Sequence, residues 1–391
     1  MHAYKECLRV NSWGKMISCE QLYAEFKKCG LTFFSGVPDS TFKDWMKFLV
    51  DEHGSRLTNI VAANECEAVA TVGGYHLRTG NLGVVYMQNS GLGKAVNPLT
   101  SLTDREVYSI PLLLMIGWRG EPGKKDEPQH KKMGRITESL LDVLEVPHEI
   151  LPDDPAQIAS VMERAVAYMR DNGSAYAILI KKGTLEEYKA KKKMETNYEM
   201  SREDAIKAIV DSLDGSEVIS STIGKTSREL FEYREILGQD HCKDFLTVGS
   251  MGCTASIANG IALSDPNSPV FIFDGDGAVI MQMGTLATIG HYEAKNLYHI
   301  VFDNGSYDST GGQPTVSPTV DLGKVALACG YKGAKTVETK ADLVEAIKYL
   351  KSSEGPQMLI VKVNKGARED LGRPTTTPIE NKEAFMEKLK K

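Results

Sequence analysis

Short apolar runs alternate with helical patterns along this chain, and the alternation occurs in both halves of the sequence. The apolar runs are LTFFSGV, NIVAA, LGVVYMQ, IPLLLMIG and YAILIK in the first half, and SEVISS, DFLTVGS, PVFIFDG, LYHIVFD and QMLIVKV in the second. Runs this continuously apolar are typical of parallel strands that are buried on both faces of a sheet. Parallel strands joined by helices form doubly wound sheets, so the sequence predicts two α/β domains of similar kind.

A polar, lysine-rich stretch, KKGTLEEYKAKKKMETNYEMS, separates the two halves and is interpreted as a solvated linker. We predict a first α/β domain over residues 16–182, a linker over 183–200 and a second α/β domain over 201–391, with no middle domain. A chain of 391 residues is long enough to give each domain its own core. Met16 is a plausible second start, which would make residues 1–15 an extension.

The composition argues against several classes of function. The net charge is −6 and no basic stripe is present, so nucleic-acid binding is not expected. No apolar run is long enough to cross a bilayer, so no membrane partner is expected, and the N-terminus lacks the apolar core of a secretory signal. The seven cysteines are scattered without a CxxC pair, which indicates reduced thiols and a cytoplasmic location.

Polar residues beside glycine follow two consecutive apolar runs of the second half. Asp276 lies between Gly275 and Gly277 after one run, and Asn304 follows the next. Because ligands bind beyond the carboxyl ends of parallel strands, we expect Asp276 and Asn304 to lie close together. Their carboxylate and amide oxygens suit Mg²⁺, and the glycines and the following helix start suit a phosphate group. The pattern therefore predicts a site for a metal and a diphosphate.

This combination resembles the thiamine diphosphate motif, in which Gly-Asp-Gly is followed about one crossover later by Asn-Asn. The resemblance implies thiamine diphosphate and Mg²⁺ as cofactors, with Asp276, Asn304 and the backbone carbonyl of Ser306 as metal ligands. It also implies the fold of that family, a pyrimidine-binding domain followed by a diphosphate-binding domain. Asp303 stands where the family has its first Asn, which leaves the local charge balance open.

The family also uses a glutamate to protonate the pyrimidine ring of the cofactor. In NECEAVATVGGYHLRTG, Glu65 begins a helical pattern, and Gly74 and Tyr75 follow at the spacing of the family pattern. Glu67 is the competing candidate, but its spacing to Gly-Tyr is less favourable. The structural alternative for Glu65 is a carboxylate that stabilises the helix dipole.

The remaining cofactor contacts come from three stretches of the second half. Met251 in the Gly-Ser-Met-Gly stretch corresponds to the large apolar side chain under the bent cofactor, where the sequence continues with Cys253 instead of the expected His. STIGKTSREL places polar groups after a strand, but it lacks the upstream glycine of a P-loop. The expected cofactor-binding residues are Glu65, Thr222, Gly224, Lys225, Gly249, Ser250, Met251, Gly275, Asp276, Gly277, Ala278, Asn304, Ser306 and Tyr307.

Several stretches resemble the phosphonopyruvate and sulfopyruvate decarboxylases within this family. They are FFSGVPDS, MQNSGLGKAVNPLTSL, IGWRGEPGKKDEPQH, STIGKTSREL and GGQPT. The resemblance implies an enzyme that decarboxylates a small 2-oxo acid with an anionic head group. The expected substrate is 3-phosphonopyruvate, and sulfopyruvate is the alternative. Phosphonopyruvate is preferred because sulfopyruvate enzymes often divide the two domains between separate chains, whereas this chain contains both. It also implies a homo-oligomer with active sites between subunits.

The expected substrate residues lie mostly at strand ends of the first half. Arg119 can present a fork of donors to an anionic head group, and Asp39 and His130 are plausible proton carriers in loops. Each has a structural alternative: an ion pair for Arg119, a helix cap for Asp39 and a surface position for His130. The expected substrate-binding residues are Ser35, Asp39, Asn89, Ser90, Arg119 and His130.

Two further hypotheses come from other functional classes. A catalytically silent protein with this fold would not need Glu65, Asp276 and Asn304 together. A dinucleotide-binding oxidoreductase should carry GxGxxG directly after a strand, whereas VGGYHLRTG lies within a helical pattern. Both hypotheses are therefore less favoured.

Overall fold

The computed structural model describes residues 16–192 and 195–390, so the predicted extension over 1–15 lies outside the described part of the chain. The chain divides into two compact units, to which residues 16–192 and 195–390 belong. Each unit contains one six-stranded sheet in which every strand pair is parallel. The prediction of two doubly wound α/β folds is confirmed. None of the described helices is long and apolar enough to cross a membrane.

The first unit alternates strands and helices from its first helix onward. The helices are α1 (Cys19–Lys28), α2 (Lys43–Glu52), α3 (Glu65–Thr79), α4 (Leu92–Leu99), α5 (Pro128–Val143) and α6 (Pro155–Asn172). The strands are β1 (Phe33–Gly36), β2 (Thr58–Val61), β3 (Val84–Gln88), β4 (Leu113–Gly117), β5 (His148–Ile150) and β6 (Tyr176–Ile180). Their order across the sheet is β2-β1-β3-β4-β6-β5.

The second unit repeats this plan with additional short elements. The helices are α7 (Arg202–Asp211), α8 (Lys225–Ile236), α9 (Thr254–Ser264), α10 (Asp276–Met281), α11 (Gly284–Tyr292), α12 (Leu322–Ala328), α13 (Lys340–Ser352) and α14 (Pro378–Leu389). The strands are β7 (Val218–Ser221), β8 (Asp244–Leu246), β9 (Val270–Gly275), β10 (Leu297–Asp303), β11 (Ser306–Tyr307), β12 (Gln313–Pro314), β13 (Gly333–Val337) and β14 (Gln357–Lys362). The six-stranded order is β13-β14-β10-β9-β7-β8, and β11 pairs with β12.

The two large sheets have the same topology. Numbered by their order within each unit, the strands follow 2-1-3-4-6-5 in both sheets. In this arrangement the strand order reverses between strands 1 and 3, which is where open α/β sheets bind ligands. The candidate functional edge of each sheet is therefore formed by the carboxyl ends of these strands. It is called the first edge in the first unit (β1, β3 and β4) and the second edge in the second unit (β7, β9 and β10).

Local sequence signals explain where several of these elements begin and end. Ser18 and Gln21 form a capping box at the start of α1, and Asn64 accepts a hydrogen bond from the backbone at the start of α3. Gly80 ends α3 in the left-handed conformation, with φ 70°, which glycine adopts without strain. Central strands such as β4 are buried at every position, as expected for parallel sheets covered on both faces.

Each six-stranded sheet contains one strand that the apolar pattern does not predict. These strands, β5 and β13, occupy an edge of their sheets and are largely exposed or half-buried. The helical pattern after Asp276 is also divided into α10 and α11, with a break at residues 282–283. Edge strands need fewer apolar residues because they are less buried, so their sequences lack the signal that marks central strands.

The described residues of the predicted linker make hydrogen bonds within their own unit. Backbone N–H groups of Lys191 and Lys192 donate to the Asp51 carboxylate at 2.6 and 2.8 Å. In the second unit, Tyr198 and Asn364 exchange two hydrogen bonds, at 2.9 and 2.7 Å. Parts of the lysine-rich stretch are therefore held by hydrogen bonds to the unit to which they belong. The predicted domain limits stay a prediction.

Candidate active-site residues in the two units

The structure brings the predicted metal ligands of the second unit together. Asp276 and Asn304 directly follow β9 and β10, which are neighbouring strands of the sheet. The Asp276 carboxylate is buried and accepts a hydrogen bond from the Thr315 hydroxyl at 2.5 Å. The side-chain oxygen of Asn304 accepts from the backbone N–H of Ser306 at 2.9 Å. One carboxylate, one amide oxygen and a nearby backbone carbonyl form an oxygen-donor set that suits Mg²⁺.

The charge at Asp276 fits such a cation. Burial, together with the neighbouring Asp303 carboxylate, raises the pKa of Asp276 to about 7. A divalent cation would stabilise the ionised form of this carboxylate. Within the described ranges, no cluster of three or more His, Cys, Asp or Glu side chains could hold a metal by itself. Any metal at Asp276 would therefore also need the amide and carbonyl oxygens, together with oxygens from a ligand or water.

Asp303, the departure from the family motif, has a charge partner. Its Oδ2 accepts from Lys362 Nζ at 2.6 Å, and its Oδ1 accepts from the Ser317 hydroxyl at 2.5 Å. Asp303 and Lys362 are cross-strand partners in the β10–β14 register. Burial acts to lower the pKa of Lys362, but the hydrogen bond and charge of Asp303 raise it overall. The additional carboxylate is thus offset by a lysine 59 positions away in sequence.

A buried network fixes the orientation of the Asn304 amide. Its Nδ2 donates to Asp308 Oδ2 at 2.8 Å, which leaves Oδ1 as the group that can face a ligand. Asp308 also accepts from Gly366 N–H at 3.0 Å and from Arg202 Nη1 at 3.3 Å. Arg202 in turn holds the Glu229 carboxylate with two hydrogen bonds, at 2.8 and 2.9 Å. This network orients the Asn304 amide, which is a predicted metal ligand.

Several residues of the predicted cofactor site are glycines or lie in turns with positive φ. A Cβ atom at Gly277 would lie 2.6 Å from the Tyr307 ring, so the ring can pack there only against glycine. A Cβ at Gly275 would meet no atom within 4 Å, which leaves space beside Asp276. Gly249 and Ser250 both adopt positive φ, 75° and 50°, in the turn that leads to Met251. Ala278 is buried in α10. These features fit the predicted cofactor, and the contacts themselves stay a prediction.

Among the described residues, no side chain caps the start of α8, so its first backbone N–H groups are open to a ligand. Gly224 precedes Lys225 with φ 85° and gives the helix no side-chain cap. Thr222 is buried, and its carbonyl accepts from the Ser227 hydroxyl at 2.6 Å. An uncapped helix start after a strand end suits an anionic group.

Glu65 has the environment of a functional carboxyl group. It begins α3, is 6% exposed, and its Oε2 has no hydrogen-bond partner among the described residues. Burial raises the pKa of Glu65. A Cβ at Gly91 would lie 2.5 Å from Glu65 Oε1, so Gly91 gives the carboxyl group its space. Glu67 is exposed and accepts from the Ala63 N–H at 3.2 Å, which favours Glu65 over Glu67.

Asp39 combines a capping role with a contact to the end of β3. Its Oδ2 accepts from the Thr41 N–H at 3.0 Å, and its Oδ1 accepts from Gln88 Nε2 at 2.6 Å. The Ser90 hydroxyl donates to the other end of the same Gln88 amide at 2.6 Å. Gly117 at the end of β4 is required here, because its Cβ would lie 2.0 Å from Asp39. The fully buried Asp39 carboxylate is therefore rigidly held.

The polar groups after β3 and β4 bind each other. Asn89 Nδ2 donates to the Arg119 carbonyl at 2.8 Å and to the Thr137 hydroxyl at 2.9 Å. Its Oδ1 accepts from the Arg119 N–H at 3.2 Å. Both N–H donors of the Asn89 amide are used within the protein, so none is left for the predicted substrate contact. These bonds hold the two strand ends together, and a substrate contact by other atoms of Asn89 stays a prediction.

The Arg119 guanidinium forms an ion pair. Its Nε and Nη2 donate to Asp126 at 2.8 and 2.5 Å, and its Nη1 donates to the Ser40 hydroxyl at 2.7 Å. Although burial opposes it, the pairing with Arg119 and the N–H groups of Glu127 and Gly120 hold the pKa of Asp126 below its usual range. Three of the five guanidinium N–H groups are thus in use. The two that remain could still contact a ligand.

The prediction that His130 lies in a loop is wrong. His130 is the third residue of α5 and is 8% exposed, because Pro128 begins the helix two residues earlier. Burial, and then the charge of Arg119, lower the pKa of His130. Its Nδ1 has no hydrogen-bond partner among the described residues, and neither has the buried hydroxyl of Ser35 in β1. Both groups are available to a ligand or to water.

Comparisons with known proteins agree with this arrangement. The family model "Thiamine pyrophosphate enzyme, N-terminal TPP binding domain" matches residues 18–140, and "Thiamine pyrophosphate enzyme, C-terminal TPP binding domain" matches residues 222–361. The chain is 34% identical to a phosphonopyruvate decarboxylase of Streptomyces viridochromogenes, over 93% of each chain. It belongs to the thiamine pyrophosphate enzyme family.

Two further relatives in this family help to compare substrates. A phosphonopyruvate decarboxylase of Streptomyces hygroscopicus is 33% identical, over 95% of this chain and 94% of its own. A sulfopyruvate decarboxylase of Methanosarcina acetivorans is 27% identical, over 85% of this chain and 88% of its own. Because that sulfopyruvate decarboxylase matches both halves in one chain, the fusion of two domains does not by itself distinguish the two substrates.

Several residues beside the predicted site residues carry no prediction from the sequence. They form hydrogen bonds with residues that the sequence singles out, or are buried without a partner among the described residues, and they are Gln88, Lys94, Asp126, Thr315 and Lys362. Thr315, Asp126 and Lys94 lie in stretches that resemble the family, which was the available signal. Gln88 lies in such a stretch too, whereas Lys362 is the last residue of an apolar strand and had no comparable signal.

Proposed function

We propose that this chain catalyses the thiamine diphosphate-dependent, non-oxidative decarboxylation of 3-phosphonopyruvate to phosphonoacetaldehyde and CO₂, a step of phosphonate biosynthesis. The observation that carries the proposal is the similarity along nearly the whole chain to two phosphonopyruvate decarboxylases, at 34% and 33% identity. The sulfopyruvate decarboxylase that also matches both halves is 27% identical over a smaller share of the chain. Sulfopyruvate is therefore the second candidate substrate.

The second unit would hold the metal and the diphosphate. Asp276, Asn304 and the Ser306 carbonyl would bind Mg²⁺, and the free N–H groups after Gly224 would bind diphosphate oxygens. When bound, thiamine diphosphate supplies the nucleophilic carbon and the electron sink for loss of CO₂. In the first unit, Glu65 would exchange a proton with the pyrimidine ring through its unpaired Oε2.

The substrate groups would come from the strand ends of the first unit. The two unused N–H groups of Arg119 would bind the anionic head group, while Asp126 keeps the guanidinium in place. Ser35 and Ser90 would add hydroxyl contacts, and the buried, neutral His130 would hold or move a proton near the reacting carbon. Asp39 is held too firmly to move, so its role would be to orient Gln88 and Ser90.

The substrate assignment is tested by steady-state turnover on one preparation. We expect kcat/KM to be highest for phosphonopyruvate, lower for sulfopyruvate and lowest for pyruvate, which lacks an anionic head group. Dialysis against a chelator should remove the activity, and thiamine diphosphate together with Mg²⁺ should restore it. A higher kcat/KM for sulfopyruvate would transfer the proposal to that substrate. Turnover of none of these acids by the reconstituted protein would favour a catalytically silent family member.

We also propose that the chain forms a cytoplasmic homo-oligomer whose active sites lie between subunits. The family resemblance supports this assembly, and the scattered free thiols of the described residues support the location. Mixing two inactive variants, Glu65→Gln and Asp276→Asn, under conditions of subunit exchange tests the assembly. If each site takes Glu65 from one subunit and Asp276 from its partner, random pairing should restore about a quarter of the wild-type activity. No recovery after verified exchange would place both residues of a site in one subunit.

A further inference from the structure

Lys94 in α4 carries a buried ammonium group that has no assigned role. Its Nζ has no hydrogen-bond partner among the described residues, although it is removed from solvent. Burying an ammonium group without a partner is costly, so such a group indicates an interaction with a neighbouring charge or with a ligand. The question is which group the Lys94 charge serves.

The geometry directs Lys94 towards Glu65. Gly91 has helical dihedral angles, φ −72° and ψ −19°, and leads directly into α4. Residues three apart on a helix lie on the same face, so Lys94 shares the face on which Gly91 packs against the Glu65 carboxyl group. Glu65 Oε2 is the other buried and unpaired charge-bearing atom at this place. Two unsatisfied groups of opposite charge therefore lie on the contacting faces of α3 and α4.

Lys94 is the charged group that acts on Glu65 within the described residues of this unit. Burial raises the pKa of Glu65, and the hydrogen bond from its own backbone and then the Lys94 ammonium oppose this rise. The strands packed on α3 are β1 and β3, whose ionisable residue is Tyr86, and the Tyr86 hydroxyl donates to the Asn59 side chain at 3.0 Å. The first turn of α3 carries one other carboxylate, that of Glu67, which is exposed.

We propose that Lys94 is a positioning residue for Glu65, whose buried carboxyl group it orients and keeps ionisable. The proposal rests on the proposed function, because the resemblance makes Glu65 the residue that contacts the cofactor ring. Lys94 would not touch the reacting atoms. Its ammonium would compensate the charge of Glu65 at a place where burial favours the protonated form of the carboxyl group.

A double-mutant cycle in the cofactor-free protein tests the pairing without using activity. The four proteins are wild type, Lys94→Met, Glu65→Gln and the double variant, unfolded in urea at about pH 5 and about pH 8. We expect the coupling between the two positions to be roughly tenfold or more in the unfolding equilibrium at the higher pH, where Glu65 is ionised. It should shrink at the lower pH as Glu65 becomes protonated. Absence of coupling at both values would overturn the proposal.

The pH profile of kcat/KM supplies a second measurement. Removing the positive charge should move the limb that reports Glu65 upward by about one pH unit or more in Lys94→Met. Lys94→Arg keeps the charge and should keep the limb in place, and Lys27→Met, at an exposed lysine of α1, should also leave it unchanged. If Lys94→Met does not fold, Lys94→Gln against Lys94→Arg gives the same comparison. An unmoved limb in both neutral variants would contradict the proposal.

These measurements separate the pairing from the proposed function. Coupling in the cofactor-free protein without turnover of any 2-oxo acid would retain the Lys94–Glu65 pair and remove the proposed function. Normal turnover of phosphonopyruvate without coupling would retain the proposed function and remove the Lys94–Glu65 pair. Thiamine diphosphate with Mg²⁺ is the binding probe, and its affinity by calorimetry should show the same shifted pH dependence in Lys94→Met.

Discussion

The two units place their predicted functional residues after corresponding strands of the same topology. In each sheet the strands follow 2-1-3-4-6-5, and the polar groups follow strands 1, 3 and 4. In the first unit these groups are Asp39, Asn89 and Arg119, and in the second they are Thr222, Asp276 and Asn304. The shared topology determines where a ligand can bind, whereas the side chains after the strands determine what kind of ligand it is.

The difference between the two edges lies in their charge balance. In the first unit, Arg119 and Asp126 neutralise each other at 2.5 Å. In the second unit, two buried carboxylates, Asp276 and Asp303, are accompanied by Lys362, which pairs with Asp303. The second edge therefore retains negative charge for a cation, whereas the first edge holds a preorganised polar surface and the separate carboxyl group of Glu65.

The largest effect is expected from neutralising the metal-side carboxylate. Asp276→Asn keeps the size of the side chain but removes the negative charge that a divalent cation needs. We expect kcat/KM to fall by roughly a thousandfold, with a matching loss of Mg²⁺ affinity. Asp370→Asn, at an exposed aspartate of the same unit, is the matched control. Near-normal turnover of Asp276→Asn would remove the distinction between the two edges.

The next effect concerns the carboxyl group of the first unit. Glu65→Gln retains size and hydrogen bonding but has no proton to exchange, so turnover should fall by roughly a hundredfold or more while the cofactor still binds. Glu67→Gln should be mild by comparison, because that carboxylate is exposed. Single-turnover kinetics with saturating cofactor measures both. If the two variants exchanged behaviour, the assignment of the functional glutamate would be wrong.

A smaller effect is expected at the ion pair of the first edge. Arg119→Lys keeps the charge but cannot hold Asp126 and a head group together. We expect the activation free energy derived from kcat/KM to rise by about 1.5–3 kcal/mol for phosphonopyruvate and to change little for pyruvate. Equal losses for both substrates with a lowered Tm would instead assign Arg119 a purely structural role, as the ion pair with Asp126 allows.

The smallest effect is a pH dependence of stability at His130. Burial and the charge of Arg119 lower its pKa, so the folded protein binds fewer protons there than the unfolded chain. The contribution of His130 to the free energy of unfolding is therefore fully present above about pH 6.5 and is lost as the pH falls below that value. Urea unfolding of cofactor-free His130→Gln at several pH values should show a weaker loss on acidification than wild type. His291→Gln, at an exposed histidine, should match wild type.

Much of the fold followed from the pattern of apolar runs. Central strands such as β4 and β10 are buried at every position, so their sequences are continuously apolar and easy to recognise. The edge strands β5 and β13 were missed because exposure removes that signal. Glu65 at the start of α3 and Asp276 beyond β9 were correctly placed, since helix starts and strand ends carry local signals.

Residues that depend on distant partners could not be assigned in advance. His130 was expected in a loop because its polar surroundings in sequence conceal the helix that Pro128 begins. For Arg119 the sequence favours a substrate contact and keeps an ion pair as the alternative, but nothing local indicates that Asp126 is the partner. The Lys94 ammonium becomes notable only once burial and the absence of a partner are known.

The sequence by itself determined the two α/β folds, the family, and the oxygen donors that follow β9 and β10, because strand periodicity and motif spacing are local properties. Tertiary structure decided how the charges are balanced. Lys362 reaches Asp303 only because β14 lies beside β10 in register, and Asp126 reaches Arg119 only because the loop between them closes. Coulomb interactions depend on distance in space rather than on separation along the chain, so the same residues have different roles once the sheet order is fixed.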